Sequence, residues 1–307
     1  MFLNIKEINL FINNKIVNWS FYPFPHAIID NFLPKEIFEE ISAINLCTDD
    51  DLRRINTSGL EFNKKEYGLK GKSDLFRIPI EIMGHGEGKN LFSKFIEPKK
   101  IITLASFRDF GDYYPFHSST KNGLLGSHID HSCLGDNIHF ANSIFYVHKT
   151  WKADWGGETI LFSKNGLKPL VYIEPRPNRI ILFIHSNTSF HGVNRILCPD
   201  NIKRNTYYMD YYLKNQDIKL LMNNVYKESS FSNKLSFTFH ETTFIPFFPL
   251  GIGSKISLNF RRVLPYIFSY IIYQFFRVIP LKMQKAITLY KIINSFKQRI
   301  RKLIVKR

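Results

Sequence analysis

Ser127-His128-Ile129-Asp130, then far downstream Thr188-Ser189-Phe190-His191-Gly192-Val193, then Arg204-Asn205-Thr206, set two imidazoles, a carboxylate and a guanidinium in a fixed order along the chain. On an extended strand, residues i and i+2 project to the same face, so His128 and Asp130 can grip one ion. The spacing suits a strand and not a helix. His191 follows the apolar run Arg179-Ile180-Ile181-Leu182-Phe183-Ile184, which reads as a buried strand. Two imidazoles and one carboxylate form the facial set that holds non-haem Fe(II) and leaves three coordination positions open. A structural zinc site would instead fill its shell with protein ligands.

Alone, H-x-D is a weak signal, since a short polar triplet recurs by chance and a lone histidine is usually a hydrogen-bonded or surface residue. The surrounding text adds specificity. Ser143-Ile144-Phe145-Tyr146-Val147, Trp151 to Trp155, Gly156-Gly157-Glu158-Thr159-Ile160-Leu161-Phe162 and Ile173-Glu174-Pro175 to Phe183 lead in order to His191-Gly192-Val193. Together, over residues 20–213, these stretches resemble the core of 2-oxoglutarate and Fe(II)-dependent dioxygenases of the prolyl hydroxylase type. The resemblance implies a mainly β protein with flanking helices, built on a double-stranded β-helix of jelly-roll or cupin-like form. It also implies Fe(II) on His128, Asp130 and His191, with 2-oxoglutarate and O2 as co-substrates and ascorbate as an auxiliary reductant.

In that family a basic residue at the start of the next strand clamps the far carboxylate of 2-oxoglutarate. Here Arg204 opens Arg204-Asn205-Thr206-Tyr207-Tyr208-Met209-Asp210-Tyr211-Tyr212, an aromatic run that reads as a strand. It stands thirteen positions after His191, slightly further than is usual for the family, so Arg195 and Lys203 are rivals. Arg204 is preferred, because a planar guanidinium binds a carboxylate bidentately and a strand start holds it rigidly. Thr206, two residues on, adds a hydroxyl on the same face. Tyr146 is, by resemblance, the other carboxylate partner, with ordinary core packing as its alternative. The implied reaction hydroxylates an unactivated C–H bond with release of succinate and CO2. Related halogenases carry a small residue where Asp130 stands, so Asp130 favours hydroxylation. The substrate is left open between a prolyl side chain and a small molecule or glycan.

The 307 residues, 44% hydrophobic and 15% aromatic, suffice for one substantial core plus an appendage. Three well-separated cysteines, Cys47, Cys133 and Cys198, suggest neither a disulfide framework nor a C-x-x-C zinc module, and fit a reducing cytoplasm. The N-terminal residues lack the apolar h-region of a secretory signal. The net charge of +16 is uneven: residues 231–307 hold fourteen Lys and Arg against the single acid Glu241. Two domains are therefore expected, a dioxygenase domain over 1–230 and a basic, aromatic-rich helical tail over 231–307.

Outside the core, Pro34 followed by Ile37, Ile41 and Ile44 predicts a helix from Lys35, whereas residues 1–20 read as a strand or loop with no chemical role. Residues 48–75 read as a long loop with short elements, Ile101 to Phe110 as a strand, and Gly111 to Gly126 as a loop whose Tyr113, Tyr114 and His117 are substrate-contact candidates. His131 and His185 rank below the triad as ligands, His131 because it follows Asp130 directly and points to the other face. Gly156-Gly157 predicts a turn, with Glu158 a turn or strand residue.

In the tail, Val263 to Leu281 is near bilayer-spanning length but is interrupted by Pro265, Gln274, Arg277 and Pro280. Ile287, Tyr290, Ile293, Phe296, Ile300 and Leu303 then form one helical stripe among lysines and arginines, a basic amphipathic helix suited to an anionic membrane surface. Peripheral membrane contact through residues 263–307 is thus expected, with packing on protein as the rival. Nucleic acid is disfavoured by the dense aliphatic residues. Two other readings compete with the oxygenase: a non-catalytic jelly-roll binding module attached to membranes by its tail, and a cupin-like metal enzyme acting on sugars without 2-oxoglutarate.

Overall fold

The computed structural model describes residues 5–43, 52–55, 61–69, 74–84, 87–106, 114–131, 133–134, 136–186, 188–226 and 243–244. In chain order the elements are α1 (Ile5–Asn13), β1 (Trp19–Ser20), β2 (His26–Ile29), α2 (Lys35–Ala43), β3 (Leu52–Ile55), β4 (Glu61–Tyr67), α3 (Asp74–Gly84), β5 (Ile102–Thr103) and β6 (Phe116–Ile129). They continue as β7 (Cys133–Leu134), β8 (Asn137–Tyr146), β9 (Thr159–Phe162), β10 (Pro169–Ile173), β11 (Ile180–Ile184), β12 (His191–Val193), β13 (Arg204–Lys214), α4 (Ile218–Tyr226) and β14 (Thr243–Phe244). The basic tail expected over 231–307 lies outside the described residues apart from 243–244, as do its two apolar stretches.

Among the described residues all strand pairs are antiparallel, in the order β1-β2-β11-β8-β13-β6-β12-β9-β10. The long β6 belongs to both halves. Its first part, Phe116 to Ser119, pairs with β13, and its second, Leu125 to His128, pairs with β12. This curled sheet is the jelly-roll form expected, with β2, β11, β8, β13 and the start of β6 on one side and the end of β6, β12, β9 and β10 on the other. The chain changes sides at Asn122, whose φ is +64°, followed by Gly123, where a Cβ would meet the Thr120 carbonyl.

Alternation on the strands separates two interiors. On β11, Ile180, Leu182 and Ile184 face the large core under the helices, while Ile181 and Phe183 join Phe24, Tyr146, Leu161 and Ile173 between the two halves. Buried on both faces, β11 needs the unbroken apolar run that its sequence shows. On β13, Tyr207, Met209 and Tyr211 enter the helix-side core, which turns Arg204, Thr206, Tyr208 and Asp210 towards an internal cavity. Helices cover the other side: α1 buries Ile8 and Ile12, α2 buries Ile37, Phe38 and Ile41, and α4 buries Leu221 and Val225, each at helical spacing.

Four expectations need correction. Of the strand expected over Ile101 to Phe110, only Ile102–Thr103 is strand, followed by a 3-10 turn at Leu104–Ser106, with 107–110 outside the described residues. Residues 5–13 form a helix rather than a strand or loop, because Ile8 and Ile12 lie one turn apart and reach the core. Residues 116–126 are strand, not loop. Their run Ser118-Ser119-Thr120-Lys121-Asn122-Gly123 lacks apolar alternation because the inner face lines a polar cavity and the strand bends at Asn122. Within the expected loop of 48–75, β3 and β4 form a hairpin that extends the sheet from β6.

Gly192 follows His191 directly, and a Cβ there would lie 2.6 Å from the Leu125 carbonyl oxygen on β6. Gly192→Ala is expected to lower stability by about 1–3 kcal/mol through overpacking of the β6–β12 seam, read as a lower urea midpoint. An unchanged midpoint would contradict this packing.

Candidate metal and co-substrate site

His128 and His191 are direct cross-strand partners in the β6–β12 ladder, with ring centroids 4.3 Å apart. Asp130 lies just beyond the end of β6. Its Oδ1 is 3.4 Å from Nε2 of His128 and its Oδ2 is 3.4 Å from Nε2 of His191. One ligand atom from each of the three residues lies within 4.8 Å of the others, so the sequence-predicted triad comes together. The i and i+2 spacing supplied one half, and the β12 pairing supplied the other.

The tautomers follow from the backbone. Nδ1 of His128 faces the Gly126 carbonyl at 2.8 Å, and Nδ1 of His191 faces that of Ser189 at 3.1 Å. A carbonyl only accepts, so both Nδ1 atoms carry the hydrogen and both Nε2 lone pairs are left for the carboxylate side. Burial lowers the pKa of His128 and keeps it in the ligand form. Burial opposes the charge on Asp130, yet His191 and His128 outweigh it and hold the carboxyl well below its usual range. Two imidazole Nε2 atoms and one carboxylate thus converge on a common point, which is the donor set of a divalent cation site.

Asp130 has further support. Nδ2 of Asn142 donates to its Oδ2 at 3.2 Å, and Nε2 of His185 stands 3.4 Å from the same oxygen. His185 therefore contacts the triad's carboxylate without belonging to the triad. His139 packs on His185 and lies 3.3 Å from Asp210. Burial opposes a charge on His139, but Asp210 more than compensates and raises its pKa. His131 departs from expectation: the strand ends at Ile129, so alternation no longer governs it, and His131 lines the cavity with Nε2 2.9 Å from the Tyr212 hydroxyl.

A cavity of about 420 Å³ joins the triad to Arg204. Arg204 is 5% exposed, and its Nε donates to the Gly157 carbonyl at 2.8 Å. Its Nη2 donates to the Tyr146 hydroxyl and to Thr159 Oγ1, both at 3.2 Å, with the guanidinium 4.9 Å above the Tyr146 ring. Among the described residues no carboxylate pairs with it, so a buried cation is held ready for an anionic ligand. Thr206 lines the same space.

The rivals are placed elsewhere. Nε of Arg195 donates to Asn122 at 3.0 Å, Lys203 is exposed, and neither lines the cavity. The Gly156-Gly157 turn has φ of +64° and +75°, and it aims the Gly157 carbonyl at Arg204. Glu158 accepts from Asn194, a structural role. Sequence reading missed Thr159, although it sits in the quoted Gly-Gly-Glu-Thr stretch, and Asn142, one residue before the quoted strand. Tyr113 lies outside the described residues, and His117 lines the cavity.

Residues 114–209 match the family model of the 2OG-Fe(II) oxygenase superfamily. The chain thus carries a 2-oxoglutarate and Fe(II)-dependent oxygenase domain, and it is an oxygenase whose cofactors are Fe(II) and 2-oxoglutarate. Among solved structures it is similar to a Trichoplax adhaerens prolyl hydroxylase in complex with a hypoxia inducible factor peptide fragment, at 16% identity and TM-score 0.45, covering 70% of this chain and 91% of that one. It is also similar to a Pseudomonas putida prolyl-4-hydroxylase, at 13% identity and TM-score 0.42, covering 69% and 99% of the two chains. A third is HygX from Streptomyces hygroscopicus with nickel, 2-oxoglutarate and hygromycin B bound, at 13% identity and TM-score 0.40, covering 62% and 83%. A search of curated proteins returns no match.

Behind Tyr146, burial pushes the pKa of His148 down to about 4, against the Pro175 carbonyl that its Nε2 contacts at 2.6 Å. The unfolded chain takes up this proton near the ordinary histidine value of about 6.5, before the folded chain does. Stability is therefore expected to be full above that pH and to fall, by on the order of 3 kcal/mol, as pH drops to about 4. Urea unfolding at stepped pH measures it, and His148→Gln should flatten the slope. A midpoint independent of pH would contradict the buried neutral ring.

Proposed function

We propose that this oxygenase hydroxylates an unactivated C–H bond, with Fe(II) held by His128, Asp130 and His191 and the far carboxylate of 2-oxoglutarate held by Arg204, Tyr146, Thr206 and Thr159. The observation that carries the reading is the pairing, across one cavity, of a three-acceptor cluster with a buried guanidinium lacking an acidic partner among the described residues. A purely structural jelly roll has no use for either half of that pair, because each costs stability when buried alone.

When bound, Fe(II) with 2-oxoglutarate and O2 supplies the oxidising chemistry by which R–H becomes R–OH while 2-oxoglutarate becomes succinate and CO2. The protein's contribution is geometric and electrostatic. The Gly126 and Ser189 carbonyls fix the two ring tautomers, and Asn142 and His185 brace Asp130. The Gly157 carbonyl and the Tyr146 and Thr159 hydroxyls fix the plane of Arg204, so one carboxylate orientation is selected. The two histidines and Arg204 are buried and Asp130 is half-buried, which limits water at the reacting carbon. Peripheral membrane contact through residues 263–307 remains part of the proposal on the amphipathic pattern alone. Among the described residues no helix is long and apolar enough to cross a membrane.

Purified protein with Fe(II) and 2-oxoglutarate is expected to form succinate, and His128→Ala, Asp130→Ala or His191→Ala to abolish it. Normal turnover in these variants would refute the assignment. Arg204→Ala is expected to raise the 2-oxoglutarate KM by about 10- to 100-fold, the loss of a charge-assisted pair. The same effect from Arg195→Ala, with Arg204→Ala silent, would move the anchor.

A further inference from the structure

The cavity walls carry more polar chemistry than the triad and the Arg204 group use. Two buried side-chain atoms on lining residues have no hydrogen-bond partner among the described residues: Oδ1 of Asn142 and Nε2 of His117. Asn142 is 5% exposed, and its Nδ2 is committed to Asp130. That bond fixes the amide orientation, since the flipped amide would set oxygen against a carboxylate oxygen, and so Oδ1 is left as an acceptor. His117 lies against the Tyr208 ring, with centroids 4.6 Å apart, and its Nε2 is 3.8 Å from Glu66, too far for a hydrogen bond. Burial, with Lys64 nearby, holds its pKa well below the ordinary value, so the ring is neutral.

The two atoms mark the ends of a polar wall. His117 is level with Thr206 on β13 and Asn142 is level with Asp210, four residues apart along one strand, or about 13 Å. Between and beside them are the carboxylate of Asp210, which accepts from the Tyr208 and Tyr212 hydroxyls at 3.1 and 3.3 Å, and Ser119. Lys64, with Glu61 at 2.8 Å and Glu66 at 3.0 Å, closes the far side. A prolyl ring brings no N–H and no O–H, so it offers the Asn142 acceptor no donor. A molecule bearing several hydroxyls satisfies an acceptor at one end and a neutral imidazole at the other, and the volume suits a small ligand.

We propose that the substrate is a polyhydroxylated, sugar-like small molecule, recognised by Asn142 Oδ1 at the metal end of the cavity and by the His117 imidazole at the other. This rests on the oxygenase reading above. A site built to bond hydroxyls rejects analogues that lack them, so Asn142 and His117 determine specificity.

The test uses the full chain with Fe(II), 2-oxoglutarate and O2, measuring succinate with no addition, with maltose, cellobiose, N,N′-diacetylchitobiose or UDP-glucose, or with a Pro-Pro-Gly repeat peptide. The expected result is a several-fold stimulation by at least one sugar and none by the peptide. Stimulation by the peptide alone, or by no probe, overturns the substrate class while succinate formed without substrate leaves the oxygenase reading standing. Absence of succinate in every arm, together with no 2-oxoglutarate-dependent visible absorption on anaerobic Fe(II) addition, overturns that reading itself.

For the stimulating sugar, His117→Phe and Asn142→Leu are each expected to raise KM about ten-fold, the worth of one neutral hydrogen bond, with partial rescue in His117→Gln and Asn142→Ser. A fall in kcat with KM unchanged would reduce Asn142 to a support for Asp130 and overturn its recognition role.

Discussion

The structure is organised by an electrostatic debt shared across one cavity: three acceptor atoms crowd together at one end, and a guanidinium without an acidic partner among the described residues is buried at the other. Neither arrangement is favourable by itself, since desolvated like groups repel and a buried cation loses its hydration. In the proposed reading a divalent cation satisfies the first and the far carboxylate of 2-oxoglutarate the second. The β-sheet holds the two groups apart on the wall of one cavity.

Holding them requires the curled sheet. His128 and His191 meet because β6 continues past Asn122 into the second half, where β12 pairs with it. Arg204 faces inward because Tyr207, Met209 and Tyr211 occupy the helix side of β13. The helices that cover that side contribute no ligand, yet they set which face of β13 and β8 points to the cavity. Tyr146 sits at the junction, part of the apolar packing between the two halves and hydrogen-bonded through its hydroxyl to Thr159 and Arg204. Its two sequence readings, carboxylate partner and core residue, are therefore compatible.

Much of this was legible in the sequence because the relevant signals are local. H-x-D needs only strand geometry, the Ile180–Ile184 run needs only burial on both faces, and Gly156-Gly157 needs only positive φ. What was not legible depended on pairing or on the cavity. The first part of β6 looked like a loop because a strand facing a polar interior loses its apolar alternation. The helix at Ile5–Asn13 carries only two buried residues, too few to stand out. His131 was assigned to the wrong face because the strand stops one residue before Asp130. Asn142 and Thr159 gave no signal, since an asparagine or threonine inside a strand becomes a site residue only when its neighbours across the sheet are known.

The central claim is that His128, Asp130 and His191 converge on one ferrous ion while Arg204 receives the far end of 2-oxoglutarate. Crystals grown anaerobically with Fe(II) and 2-oxoglutarate test it through the anomalous signal of iron. The account predicts a single strong peak bonded to Nε2 of both histidines and to the Asp130 carboxylate, with the distal carboxylate of 2-oxoglutarate on the Arg204 guanidinium. A peak bonded to other side chains, or 2-oxoglutarate seated on Arg195, would contradict it.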